Sequence, residues 1–196
     1  MYEIQVVVEG VGRGLLMHKF SVEASAELES ELKKVKRQQR TPQDEAEQVA
    51  YRLHPNGDEN VGQLCLPAEH FLGAIVNTGS SLQVKGRGKK TYKGAFKGQL
   101  GVVPDFIGLT DTKSKPLFTF KIDSRPVKIK ATQGRIIRHR PWLEAGWRAA
   151  FRIQVGDDTI PLEVVQSALE EAGRSACVGD YRPRFGQFRI VSFEKV

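Results

Sequence analysis

Trp147-Arg148-Ala149-Ala150-Phe151-Arg152-Ile153-Gln154-Val155 alternates, with Trp147, Ala149, Phe151, Ile153 and Val155 on one side and Arg148, Arg152 and Gln154 on the other. A period of two over this length predicts a half-buried strand with a cationic outer face. After Gly156-Asp157-Asp158, Thr159 and Pro161 open a helix in which Leu162, Val165, Ala168, Leu169 and Ala172 recur at helical spacing until Gly173 ends it. The helix is expected to pack on the apolar side of the strand. A glycine- and arginine-rich arch follows, Gly179-Asp180-Tyr181-Arg182-Pro183-Arg184-Phe185-Gly186, and then a final strand from Phe188 to Phe193. Glycines let a backbone approach a phosphate chain closely while guanidiniums clamp it, which marks Arg182 and Arg184 as candidate contacts.

The rest of the 196-residue chain suits one domain with sizeable insertions, and 40% apolar residues can support a core. No apolar run approaches the roughly 20 residues of a membrane helix. The start, Met1 to Gly10, carries Glu3 and Glu9 in place of a basic leader region, so a cytoplasmic location without membrane contact is expected. Cys65 and Cys177, at no metal-ligand spacing, read as ordinary buried thiols; no metal or cofactor is expected.

The net charge of +7 is unevenly spread. Residues 1–60 hold 8 Lys/Arg against 11 Asp/Glu, residues 61–196 hold 22 against 12, and Lys85 to Arg140 alone holds 15 against 3. A concentrated basic block points to a polyanion, of which nucleic acid is the commonest, although any one cluster also suits a solvated surface. Between Gly79 and Gly101 the cations Lys85, Arg87, Lys89, Lys90, Lys93 and Lys97 are interleaved with glycines and with Tyr92 and Phe96, and no acid occurs from Gln83 to Pro104. Unpaired bases need flat partners and their phosphates need charge, so this composition suits a single strand. A second cationic cluster, Arg125 with Arg135, Arg138, His139 and Arg140 ahead of Trp142, reads as a phosphate clamp or as a buried ionic network.

Further elements follow in order. Tyr2 to Glu9 reads as a strand, and Gly10, Gly12 and Gly14 as a turn delivering Leu15 and Leu16 to the core. Residues 22–60 form an excursion: a charged helix or arm over 27–40, a short helix from Thr41, and a turn at 54–58. Gln63 to Leu66 is a strand running into Pro67 and a helix to about residue 79, in which His70 is a packed side chain. Leu117 to Ile122 and Pro126 to Lys130 read as strands. Setting aside 22–60 and a basic flap over 79–116, the order is βαββαβ. The expected fold is therefore α+β: a ferredoxin-like, RRM-type sheet with both helices on one face, Arg148 and Arg152 on the other, and helical and basic loop segments inserted.

The segment Leu64-Cys65-Leu66-Pro67-Ala68-Glu69-His70-Phe71-Leu72-Gly73-Ala74 resembles the I-P-G-S-S-x-K-G-A-L-R segment of the repeat-associated (RAMP) superfamily of CRISPR proteins. Gly179 to Phe188 stands where those proteins carry a glycine-rich loop before the last strand. Ala68, Glu69, His70 and Leu72 depart from that pattern. The tail is also similar to small proteins of phages and other mobile elements. The resemblance, strongest to the backbone-forming subunits, implies a guide-RNA-binding protein with a finger-like insertion on an RNA-recognition-type core. It implies assembly along the strand with copies of itself and with other subunits of a ribonucleoprotein complex.

Residues and resemblance together lead to the expectation of a non-catalytic binder of single-stranded RNA or DNA. Its contacts would be Lys85, Arg87, Lys89, Lys90, Tyr92, Lys93, Lys97, Arg125, Arg135, Arg138, His139, Arg140, Arg148, Arg152, Arg182 and Arg184. The alternatives are a metal-independent ribonuclease, with His139 as general acid/base approached by His18, and a phage-type protein coating single-stranded DNA.

Overall fold

The computed structural model describes residues 1–19, 41–53, 62–128 and 134–196. The charged run over 27–40, the turn over 54–58, the end of the strand reaching Lys130 and the first residues after it lie outside the described residues. The elements are β1 (Tyr2–Gly10), β2 (Leu15–Leu16), α1 (Pro42–Gln48), β3 (Cys65–Pro67), α2 (Ala68–Thr78), α3 (Lys93–Gln99), β4 (Leu100–Val103) and β5 (Phe106–Thr110). They continue with β6 (Lys121–Lys128), β7 (Arg135–Leu143), β8 (Arg148–Val155), α4 (Leu162–Glu171) and β9 (Phe188–Lys195), the last turn of α4 widening into a π-helical turn over Ala172–Ala176.

The chain is α+β with antiparallel sheets. In the main sheet β1 lies between β8 and β9, and the far side of β8 is shared by β4 along one half and β5 along the other. Alternation does what the sequence implies. Ile4, Val6 and Val8 of β1 and Ala149, Phe151, Ile153 and Val155 of β8 are buried on one face. On that face α2 presents Phe71, Ala74 and Ile75, and α4 presents Val165, Ala168 and Leu169. Phe71 lies 4.7 Å from Phe151, ring centroid to centroid, and the Thr78 hydroxyl donates to the Ala168 carbonyl at 2.9 Å, joining the two helices. Among the described residues no helix lies on the opposite face of the sheet. No helix among the described residues is long and apolar enough to cross a membrane.

Two expected placements change. The strand beside β8 is Leu100–Val103, inside the segment expected to be a basic flap. In place of the two strands expected over 117–122 and 126–130, one strand, Lys121–Lys128, lies outside the main sheet and pairs with Arg135–Leu143 as a separate two-stranded ribbon that β2 extends. Leu-Gly-Val-Val is a short apolar run with a proline directly after it. Such a run carries little sequence signal, whereas its buried Leu100 and Val102 fill the edge of the core beside β8.

Candidate nucleic-acid interface

The predicted contacts fall into three places. The first is a protruding hairpin. Val84 and Lys90 are joined by a backbone hydrogen bond, Gln83 and Thr91 form a bridge, and successive turns closed by Arg87 and Lys90 make the tip. Gly86 and Gly88 supply the positive φ values that those turns require. The segment is thus an ordered finger, and Lys85, Arg87, Lys89 and Lys90 are all exposed on it. Lys93 and Lys97, one helical turn apart on α3, are exposed as well. None of the six cations has an acidic partner among the described residues. Tyr92 is stacked on the buried Phe96 with ring centroids 5.7 Å apart, which fixes the finger on the core.

The second place is where the ribbon meets the arch. The amides of Asp180 and Gly186 donate to the carbonyls of Leu16 and Gly14, stitching the arch along β2. Gly186 has φ +76°, and a Cβ there would strike the Val178 carbonyl, so only glycine fits this close approach. One face of β7 turns towards the arch. Arg140, 6% exposed, places its Nε 2.7 Å from Asp180 and its guanidinium carbon 5.3 Å from the Tyr181 ring centroid. Arg125 on β6 is chelated by Asp123, with Nη2 to Oδ2 at 2.9 Å, and lies 4.6 Å from the centroid of Phe185. Tyr181 itself has φ +58°, a strained value for a bulky residue, held by the cations packed on it. Arg138, further along the same face, reaches Glu45 of α1 at 3.4 Å.

The buried-network reading therefore holds for Arg140, and in large part for Arg125: these side chains tie ribbon to arch. His139 points to the other face, where its Nδ1 lies 2.7 Å from the Ser124 hydroxyl. It is thus separated from Arg138 and Arg140, which adjacent positions on a strand cannot bring together. His18 is the histidine beside those arginines. Partial desolvation holds its pKa below the ordinary histidine value, with Arg140 and Arg138 adding to the effect against Asp180. His70 is held down in the same sense by burial and by Arg182, and its ring meets Tyr51 edge-on at 5.5 Å. Arg135, Arg182 and Arg184 are exposed, with no ion pair among the described residues.

The third place is the open face of the main sheet. Arg148 and Arg189 converge on Glu9, each 2.7 Å from a different carboxylate oxygen, and hold its carboxyl below the usual carboxylate range. Arg152 reaches Glu3 at 3.0 Å, and Gln154 donates to the same carboxylate at 2.8 Å. The cationic outer face expected for β8 is thus neutralised by β1. Glu3 and Glu9 were visible as the polar face of an alternating strand, but which strand would lie beside them was not. Cys65 is a buried thiol with its pKa pushed up to about 11 by burial, and Cys177 is buried and shifted the same way.

No family model and no curated protein matches this chain. Among solved structures, a chain in the cryo-EM structure of the Type III-B Cmr-beta complex bound to cognate target RNA matches with a TM-score of 0.60 and 11% identity. That match covers all of this chain, which spans 60% of the length of the other. A chain of a Type IV-B CRISPR complex matches with a TM-score of 0.50 and 10% identity over 97% of this chain and 90% of that one. At such identities the likeness is one of fold, and the fold of this chain is one found among chains of CRISPR complexes.

Proposed function

We propose that this chain is a non-catalytic subunit of a CRISPR-type ribonucleoprotein complex that binds single-stranded nucleic acid, RNA in the first instance, and lies side by side with copies of itself. The observation that carries this reading is the ordered finger and α3, whose six cations have no acidic partner among the described residues. Unpaired, projecting cations are available to replace the counterions of a phosphate chain. The fold supports the same reading. The neighbours β9, β1, β8 and β4, with α2 and α4 behind one face, are compatible with a ferredoxin-like, RRM-type βαββαβ core carrying the ribbon and the finger as insertions. Its likeness to a chain from an RNA-bound complex favours RNA over DNA.

The strand is held by the finger and by Arg135, Arg182 and Arg184, and it bypasses the ion-paired sheet face. Titration of a labelled single-stranded RNA at two ionic strengths tests this: affinity falls steeply with salt, whereas a flat response would remove the reading. DNA of the same sequence in a parallel titration separates the two nucleic acids.

A further inference from the structure

The arch puts three residues at positive φ: Gly179 and Gly186, both at +76°, and Tyr181 at +58°. At the two glycines the backbone decides the residue, because a Cβ would strike the carbonyl of Leu16 or of Val178. Tyr181 is different. Its conformation favours glycine, and a bulky side chain is kept there at a cost in free energy. A strained residue held in place by its surroundings points to a use for its side chain.

Both its backbone and its ring are fixed. The Tyr181 amide donates to Asp180 Oδ1 at 2.9 Å, and the Tyr181 carbonyl accepts from the Phe185 amide at 3.3 Å. The guanidinium carbons of Arg125 and Arg140 lie 5.8 and 5.3 Å from the ring centroid. In the ribbon Arg125 stands opposite Arg138, and Asp123 opposite Arg140, so the two arginines share one ribbon face and meet the ring from the same side. The ring is partly exposed, and the exposed Arg182 and Arg184 follow it along the arch. Neighbouring acids do not cancel their charge. Asp180 is bound to Arg140, Asp123 to Arg125 and Glu45 to Arg138, whereas Arg182 and Arg184 have no ion pair among the described residues.

We propose that Tyr181 is a stacking surface for one unpaired base of the bound strand, with Arg182 and Arg184 on the phosphates that flank it. This site rests on the nucleic-acid reading above and assigns it a residue. A ring pinned from behind loses little freedom when a base covers it. The stack needs a base without a pairing partner, so the site selects a single strand over a duplex.

Labelled single-stranded RNA and an abasic strand of the same length, each titrated over a series of salt concentrations, separate the stack from the charges. Tyr181→Gly, which accepts the positive φ without strain, should weaken RNA binding by about 5- to 30-fold and leave the salt slope unchanged. Tyr181→Phe should stay within about twofold. Arg182→Ala should instead lower the salt slope by about 1. The abasic strand should bind the unmodified protein and Tyr181→Gly equally. An unchanged RNA affinity in Tyr181→Gly would overturn the proposal. So would an equal loss on the abasic strand, which would show that the ring acts only by holding the arch. Absence of salt-dependent RNA binding by the unmodified protein would remove the underlying reading, and this site with it.

Discussion

The open face of the main sheet and the finger over residues 83–91 are both arginine- or lysine-rich, and they differ in what those cations face. On the sheet three guanidiniums, Arg148, Arg152 and Arg189, share two carboxylates on the intervening strand. On the finger four cations face water. The difference teaches that charge in a sequence is potential until the fold assigns its partners. An arginine whose carboxylate lies opposite it on the next strand is already spent on the protein. One at the tip of the finger has no acidic partner among the described residues.

Four measurements would break or sharpen that contrast. The largest expected effect is on the finger: replacing Lys85, Arg87, Lys89 and Lys90 together by alanine should lower affinity for single-stranded RNA by about 10²- to 10³-fold at 0.1 M salt and flatten the salt slope by about 3. The paired change Arg148→Ala with Arg152→Ala should move affinity less than about threefold; a loss as large as the finger's would erase the distinction.

Next comes stability, where the buried arginine should differ from the free one. Arg140→Met leaves Asp180 without its cation and Tyr181 with only Arg125 of the two cations packed on it, and should cost about 2–3 kcal/mol in chemical denaturation. Arg182→Ala, on the same arch, should stay within about 0.5 kcal/mol.

A smaller effect tests the neutralised face from the opposite direction. Glu9→Gln releases Arg148 and Arg189, and RNA affinity should rise by about two- to fivefold if pairing alone had withheld them. An unchanged affinity would show that the face is passed over for its shape instead.

The smallest effect is pH dependence. His18 and His70 both have pKa values below the unfolded value, so the folded protein binds fewer protons than the unfolded chain in that interval. Stability is then highest above the unfolded histidine value of about 6.5 and is lost as pH falls through it. Thermal denaturation between pH 7.5 and 5.5 should show this decline, and His70→Gln should make it shallower.

Much of the architecture was legible because local periodicity determined it. The alternation over 147–155, the helical spacing over 162–172 and the strand-to-helix run at 64–78 each specify an element and its buried face. What was not legible was long-range. Leu100–Val103 takes its place beside β8 through pairing with residues some fifty positions later, and the strand at 121–128 pairs away from the sheet it was expected to join.

The candidate site divides the same way. Arg138 and Arg140 look alike in sequence, two positions apart with a histidine between them; Asp180, forty residues on, draws one inside while the other stays at the surface. His139 shows the opposite case. Strand alternation across 135–143 places it on the far side from its arginine neighbours, and that strand carried no clear periodic signal in the sequence.

The irregular pairing of β1 with β9 has a consequence for the company this protein keeps. Val7 faces Ser192 and Val8 faces Ile190, so Val191 is an extra residue that bends the outermost strand, where Arg189, Glu194 and Lys195 also stand. A kinked and charged border is a poor template for another strand to zip onto. Neighbouring molecules at high local concentration are thereby kept from pairing strand to strand along β9.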